Sequence, residues 1–394
     1  MESKLLNNLE IIDYVVEKGF FNDKSTLECV EIGDGNINYV FKVFNKKTNK
    51  SLVIKQSDTL LRSSGRPLDI NRSKIEYNIL KTQYEIYPGS VPEVYYYDEE
   101  KSMIIMEDIS SYKNLREELS KGNIYSHLSD SLSEFLAKTL LPTTDLVISR
   151  KEKKENVKKY TNPDLCDISE DLVFTEPYYN YKDRNIITEG LESFVEKELY
   201  KDEELIGEVL KLKDKFQTNS QALIHGDLHT GSIFVNDKGI KVIDPEFAFY
   251  GPIGYDIGNV WGNIIFALAN SLVMNDNRKD SLYQLLEDTI DKTIDKLDRA
   301  YDKYVTGDYF RNMYFKKYYL KEIISDSFGY AATEIIRRDV GDSKVKEITS
   351  IKDNDLRIAI DKKLILIGKY LIKNRDSIGN AKDLIDYIKK LNEF

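Results

Sequence analysis

The 394-residue chain has two cysteines, three histidines and eight prolines. Cys29 and Cys166 are too few and too far apart for a disulfide framework or a structural zinc site, and His127, His225 and His229 form no ligand cluster of their own. Scarce cysteine fits a reducing compartment. Positive charge is not in excess: 57 Lys and Arg stand against 67 Asp and Glu, a formal net charge of −10. That balance argues against nucleic acid as a partner, because proteins that grip phosphate backbones present net positive faces. The most basic stretch, Lys151 to Lys159, is interrupted by Glu152 and Glu155 and reads as a solvated helix face. Long apolar runs are missing too. The opening MESKLLNNLE lacks the basic and apolar regions of a signal peptide, and Val260 to Met274 is too short and Asn-interrupted to span a bilayer. The expectations are no membrane association and a cytoplasmic protein.

What is present describes a globular chain. Hydrophobic residues make up 41% and charged residues 31%, and the length allows two or three domain-sized units. An amphipathic opening (Leu5, Leu6, Leu9, Ile12, Val15, Val16) precedes three β-type runs, LECVEI, YVFKVF and SLVIK, separated by GDGN and KKTNK. These predict an antiparallel three-stranded start. Ile75, Ile79 and Leu80, with charges between them, predict a helix over 69–84 laid across the sheet, and VPEVYYYD and SMIIMED add two strands joined by DEEK. From Leu115 onward the pattern is mostly helical, at 126–141, 187–217, 279–305, 311–338 and 355–373. The expected division is a β-rich unit over 1–109 and a helical unit over 110–394, joined by a short hinge. Asn162 to Asn185, with Pro163, Pro177 and EPYYNY, is expected to be a long loop, either a lid or an ordered surface excursion.

The chemistry concentrates in a few places. In GDGNIN, Gly33 and Gly35 permit backbone conformations that point amide N–H groups at phosphate oxygens, although the same letters also spell a hairpin turn. Lys55 ends a strand, where it can reach nucleotide phosphates, and Glu76 on the next helix can hold it by an ion pair; a strand lysine is otherwise an edge charge. The strongest signal is LIHGDLHTGSIFV followed by KVIDPEFAF. SIFV and IKVID are strands joined by NDKG, so the chain doubles back and Asp244 is expected near Asp227, an arrangement that a metal cation would relieve. Asp244 and Glu246, at i and i+2 in a chain that Pro245 favours as extended, are expected to point the same way and to grip Mg²⁺. Arg337 and Arg338 end a helix, where cations complement the helix dipole whatever else they do.

HGDLH followed by IDPE, after a glycine turn and a strand lysine, resembles the aminoglycoside-phosphotransferase and choline-kinase branch of the protein-kinase-like fold. That resemblance implies an α+β, two-lobed architecture with a β-rich N-lobe and a mostly helical C-lobe. Most of that branch carries Asn five residues after the catalytic Asp as a second-metal ligand; here the position is Ser232. HGDLHTGS, DPEFAFYGPIGYDIG and GDGNIN, with SSGRPLDINRSKIE, VPEVYYYDEEKSMIIMED and TEIIRRDVG, are similar to the methylthioribose kinase family in particular. The resemblance implies ATP with Mg²⁺, transfer to the 1-hydroxyl of 5-methylthioribose, and a homodimer. It implies Asp227 as base and acceptor ligand, Asp244 and Glu246 as metal ligands, and Asn38 and Lys55 on the phosphates. The backbone of Glu107, Asp108 and Ile109 would meet adenine, and Arg337 and Arg338 would reach the sugar. Two guanidiniums would repel a cationic aminoglycoside or choline and suit a neutral sugar. The rival readings are a kinase of another small molecule (aminoglycoside, choline or homoserine) and a nucleotide-binding pseudokinase.

Overall fold

The computed structural model describes residues 5–32, 38–60 and 67–392. Gly33 and Gly35 lie outside the described residues. The chain divides into two units, Met1–Tyr112 with Lys241–Phe247, and Lys113–Ile240 with Ala248–Phe394. The segment carrying Asp244 and Glu246, expected within the helical unit, is thus part of the first.

In the first unit, α1 (Asn8–Glu17) is started by a capping box between Asn7 and Glu10 and buries Ile11, Tyr14 and Val15. Five strands follow: β1 (Leu27–Glu31), β2 (Tyr39–Asn45), β3 (Ser51–Gln56), β4 (Val94–Asp98) and β5 (Met103–Met106), with α2 (Arg72–Ile86) between β3 and β4. They form one antiparallel sheet in the order β1-β2-β3-β5-β4. Strand alternation sorts the side chains onto its two faces. Leu52 and Ile54 of β3 join Met103 and Ile105 of β5 in the core beneath α1. Val53 lies on the other face with Ile104, Met106 and Tyr77 of α2. Lys55, two residues beyond Val53 and paired with Ile104, follows that second face. The parity that buries Val53 therefore turns Lys55 toward the helix that carries Glu76.

The second unit is largely helical: α3 (Leu115–Lys121), α4 (Leu128–Leu140), α5 (Arg150–Lys159), α6 (Pro163–Phe174), α7 (Glu192–Val195) and α8 (Glu203–Thr218), then α9 (Ile253–Met274), α10 (Lys279–Tyr304), α11 (Met313–Val340), α12 (Lys346–Thr349), α13 (Asn354–Asn374) and α14 (Ala381–Leu391). Short strands β6 (Lys113–Asn114), β7 (Ala222–Ile224), β8 (Ile233–Asn236) and β10 (Phe249–Gly251) flank the HGD segment, and β9 (Gly239–Val242) starts in this unit and ends in the first; β7 pairs with β10, and β6 with β8.

Three expectations are corrected. The segment 162–185 is not one long loop, because α6 occupies half of it. Pro163 sits in the first turn, where its missing N–H costs nothing, Leu165, Ser169 and Val173 recur at helical spacing on a buried face, and Phe174 packs in tilted and edge-on contacts among Phe216, Tyr255 and Tyr330. The pattern at 187–217 is broken by a π-turn at Glu196–Tyr200 and restarted by Asp202, whose side chain caps Leu205 N. The apolar stretch at 260–274 belongs to a longer helix, α9, which by length and composition alone could cross a membrane. Every residue from Ile253 to Ser271 is buried, including Asp256, Asn259, Asn263 and Asn270, as in the central helix of a packed core.

Close approach of α9 to α11 organises this unit. Gly254, Gly258 and Gly262 repeat at four-residue intervals along one face. A Cβ at Gly258 would stand 2.5 Å from Ala331 N, and one at Gly262 would stand 2.9 Å from Ala331 O. Those neighbours are backbone and cannot swing aside. We expect Gly258→Ala to lower stability by about 1–3 kcal/mol through overpacking. Gly207→Ala in α8, where nothing lies within 4 Å, should instead raise it by about 0.5–1 kcal/mol. Urea unfolding of both variants checks the contrast.

Candidate active site

Two clusters hold the residues singled out by sequence, one in each unit. In the first unit, Lys55 Nζ donates to Glu76 Oε1 at 2.8 Å and to Asp244 Oδ1 at 2.7 Å. Asn38 Nδ2 donates to Glu246 Oε2 at 3.0 Å. Arg72, one helical turn before Glu76 on the buried face of α2, places Nε 3.3 Å from Glu246 Oε2 and NH2 3.3 Å from Asn38 Oδ1. Sequence reasoning missed Arg72; its i to i+4 spacing from Glu76 was the available signal.

Burial works against the ammonium of Lys55, but Asp244, Glu76 and Glu246 together hold it above the ordinary lysine range. Burial also drives the Glu76 carboxyl upward against the pull of Lys55. Three carboxylates thus gather around two cations, and Glu76 Oε2 is buried without a hydrogen-bond partner among the described residues. No group of three or more His, Cys, Asp or Glu among the described residues could hold a metal ion unaided. Mg²⁺ in nucleotide sites, however, is bound through one or two carboxylates plus substrate phosphates. Asp244 and Glu246 supply that hard oxygen donor set, so the residues present fit the ion.

The backbone around Asp244 differs from the expected extended form. Asp244 has φ +62°, and Pro245–Phe247 is a 3₁₀ turn. A non-glycine residue in the left-handed region before proline is strained, and here Lys55 holds its side chain from across the cluster. The shared direction of Asp244 and Glu246 is therefore not that of an extended strand. Of the proposed adenine segment, Glu107 bonds Lys241 at 2.6 Å, Asp108 accepts from Lys42 at 2.8 Å and Ser51 at 2.6 Å, and Ile109 O accepts from Tyr112 N at 2.8 Å.

In the second unit, the HGD loop leaves β7 and turns at Gly226, whose φ is +83°. Buried Asp256 at the start of α9 accepts from His225 N at 2.7 Å and Gly226 N at 3.0 Å, fixing the loop's backbone. Asp227 Oδ1 then accepts from Arg337 NH2 at 2.9 Å and Arg338 NH2 at 3.4 Å. The structure thus brings both arginines to Asp227 rather than leaving them on solvent as helix-end charges. Ser232 is buried and committed to its own loop: its hydroxyl accepts from His229 N at 3.2 Å and lies 2.8 Å from the His229 carbonyl.

His229 Nδ1 accepts from Ser232 N at 3.1 Å, so the imidazole proton of the neutral ring sits on Nε2, which lies 3.6 Å from Asp227 Oδ2. Burial pushes the His229 imidazole down to about 4 despite the pull of Asp227. Burial likewise opposes the charge on Asp227, yet His229, Arg337 and Arg338 hold its carboxyl well below the usual carboxylate range. With His229 neutral at pH 7, the two guanidiniums keep Asp227 ionised. An ionised carboxylate set on a rigid loop between two forked cations can accept a hydrogen bond from an alcohol while the cations meet incoming anionic charge.

The folded protein keeps His229 neutral down to about pH 4, whereas the unfolded chain takes up the proton near the ordinary value of 6.5. Unfolded molecules therefore bind the extra proton in that window, and the contribution of His229 to stability, complete above it, is lost as pH falls through it. The stability gap between parent and His229→Gln should narrow from pH 7.5 to pH 4.5 in urea titrations. A gap that stays constant would contradict the neutral imidazole.

Residues 168–283 match a family model described as the phosphotransferase enzyme family. The chain is 37% identical to a methylthioribose kinase of Geobacillus sp. (strain WCH70), over 95% of this chain and 92% of that one. It is 38% identical to a methylthioribose kinase of Bacillus velezensis, over 95% and 93%. A solved ethanolamine kinase of Plasmodium vivax aligns with 100% of the chain and 90% of its own length, at 14% identity and a TM-score of 0.49. With likeness to curated relatives running through both clusters and nearly from end to end, the chain belongs to the methylthioribose kinase family.

Proposed function

We propose that the chain transfers the γ-phosphoryl group of ATP, as its Mg²⁺ complex, to the 1-hydroxyl of 5-methylthioribose, giving 5-methylthioribose 1-phosphate and ADP in methionine salvage. The observation that carries this reading is the ionised Asp227 between Arg337 and Arg338, in a chain whose relatives bear the name methylthioribose kinase. In the proposal, Lys55 and Asn38, with the glycine turn at Gly33 and Gly35, bind the phosphates, and Glu76 orients Lys55. The backbone from Glu107 to Ile109 receives adenine. Asp244 and Glu246 would hold Mg²⁺, which when bound neutralises phosphate charge.

Asp227 receives the hydrogen bond of the sugar hydroxyl and aligns its oxygen on the γ-phosphorus. As that oxygen–phosphorus bond forms, the bond to the bridging oxygen breaks, ADP departs, and the hydroxyl proton passes to Asp227. A carboxylate so strongly stabilised in its charged form is a weak base. It suits a loose transition state in which the proton leaves late and orientation dominates. Arg337 and Arg338 meet the charge on the transferring group. Their cationic field supports a neutral acceptor over aminoglycosides or choline. A cytoplasmic homodimer completes the proposal.

ADP release should be seen with ATP, Mg²⁺ and methylthioribose, and not with kanamycin, choline or homoserine; turnover confined to one of the latter three would sink the sugar assignment. Asp227→Asn should keep nucleotide affinity while losing about 10²–10⁴-fold in kcat. Undiminished turnover would remove Asp227 from its role.

A further inference from the structure

Behind the two arginines lies a carboxylate for which the reaction as described has no use. Glu334 stands three and four residues before Arg337 and Arg338 on α11, so all three share one helical face. It is 1% exposed, and both of its oxygens are engaged. Oε2 accepts from Arg337 Nε, while Oε1 accepts from Arg338 Nε at 3.1 Å and from Asn263 Nδ2 at 3.3 Å. Each guanidinium is therefore held by its inner Nε edge and left with its terminal NH2 directed at the same atom, Asp227 Oδ1.

Two like charges converging on one oxygen repel each other, and an unpaired buried carboxylate is costly. The arrangement holds because two carboxylates and two guanidiniums balance in a closed square. Burial opposes the charge on Glu334, but Arg337 and Arg338 keep it ionised. The square is also tied to the loop that carries Asp227. Asn263 Oδ1 accepts from Thr230 Oγ1 at 3.2 Å and from Arg116 NH2 at 3.2 Å, and its amide donates to Asn259 O at 2.9 Å as well as to Glu334. Asn263 follows Gly262 directly, where the backbone of α11 at Ala331 leaves no room for a Cβ on α9.

We propose that Glu334 is the positioning residue for phosphoryl transfer, anchoring the Nε edges of Arg337 and Arg338 so that their terminal N–H groups pass from Asp227 to the oxygens of the transferring phosphoryl group without the guanidiniums leaving their seats. This rests on Arg337 and Arg338 acting in the transfer as proposed above. The anchor makes the two arginines a fixed fork with only one edge exchanged between ground and transition states. That is the condition under which such donors stabilise developing charge without reorganisation. It also gives Asn263 a purpose, since it sets the height of Glu334 relative to the HGD loop through a single amide.

The test is a double-mutant cycle in kcat with parent, Glu334→Gln, Arg337→Ala and the double variant, with the thermal midpoint of each followed by circular dichroism. Glutamine keeps the size of the side chain but has one acceptor where Glu334 has two. We expect Glu334→Gln to lower kcat roughly 100-fold, the scale of a misplaced catalytic group. KM for the acceptor and the Kd of ATP should stay within about threefold, and the same change in the Arg337→Ala background, where only Arg338 is left to misplace, should cost about tenfold. A kcat within about threefold of the parent, or an equal loss in both backgrounds, would overturn the proposal, because a purely structural role is additive. If Glu334→Gln does not fold, Glu334→Asp keeps the charge and withdraws the carboxylate by one methylene, and the same cycle decides. The cycle is run on whichever of methylthioribose, kanamycin, choline or homoserine the parent turns over. A parent active only on choline would thus defeat the sugar assignment while still deciding the role of Glu334, and a parent inert on all four would overturn both.

Discussion

The second unit depends on one steric constraint, the contact of α9 with α11 through glycine. Where Gly258 meets Ala331 there is no room for a methyl group, and that closeness allows a side chain as short as Asn263 to reach Glu334. From this contact the rest follows in sequence. Asp256, near the first of the packing glycines, fixes the backbone of His225 and Gly226. Asn263, beside the last, holds Thr230. Glu334 aims the arginines and the arginines hold Asp227. Helix packing and the placement of Asp227 are here consecutive links of one chain.

Both clusters use a common electrostatic device. A buried cation is shared between carboxylates so that neither sign is left unpaired: Lys55 between Glu76 and Asp244 in the first unit, and Arg337 between Glu334 and Asp227 in the second. In each case one carboxylate is almost wholly buried, Glu76 and Glu334 at 1% side-chain exposure, while its counterpart is not, Asp244 at 51% and Asp227 at 25%. The buried partner fixes the position of the cation. The more accessible one can exchange it when another anion arrives, since its own charge is readily taken up by solvent or substrate.

Much of this was legible in the sequence, for identifiable reasons. The alternation of LVIK and MIIM set the sheet faces and thereby the side on which Lys55 emerges, and the spacing of Ile75, Ile79 and Leu80 set the helix that brings Glu76 to it. HGDLH and IDPE marked both carboxylate centres. What escaped depended on tertiary context. Arg72, Glu334 and Asn263 are polar residues on buried faces, which in a sequence look like ordinary helix surface. The proline and tyrosines of 162–185 suggested a loop, yet a helix forms because Pro163 falls in its first turn and Phe174 has an aromatic cluster to enter. The left-handed backbone of Asp244 runs against its local preference before proline, and the Lys55 ion pair holds it from a distance in sequence that no local rule spans. The arginines were assigned to the sugar by resemblance, whereas their contact with Asp227 is a tertiary one that no local pattern announces.

The seven residues from Lys241 to Phe247 have a consequence for genetics and for protein engineering. The polypeptide passes between the two units three times, after Tyr112, after Ile240 and after Phe247. No single cut can therefore divide the gene into two self-sufficient halves. A fragment ending at Tyr112 would carry Lys55, Glu76 and Arg72 without Asp244 and Glu246, leaving Lys55 and Arg72 without two of their carboxylate partners. Domain exchange among relatives must then move a short internal cassette together with the N-terminal segment, and inheritance of the two units is bound to be joint.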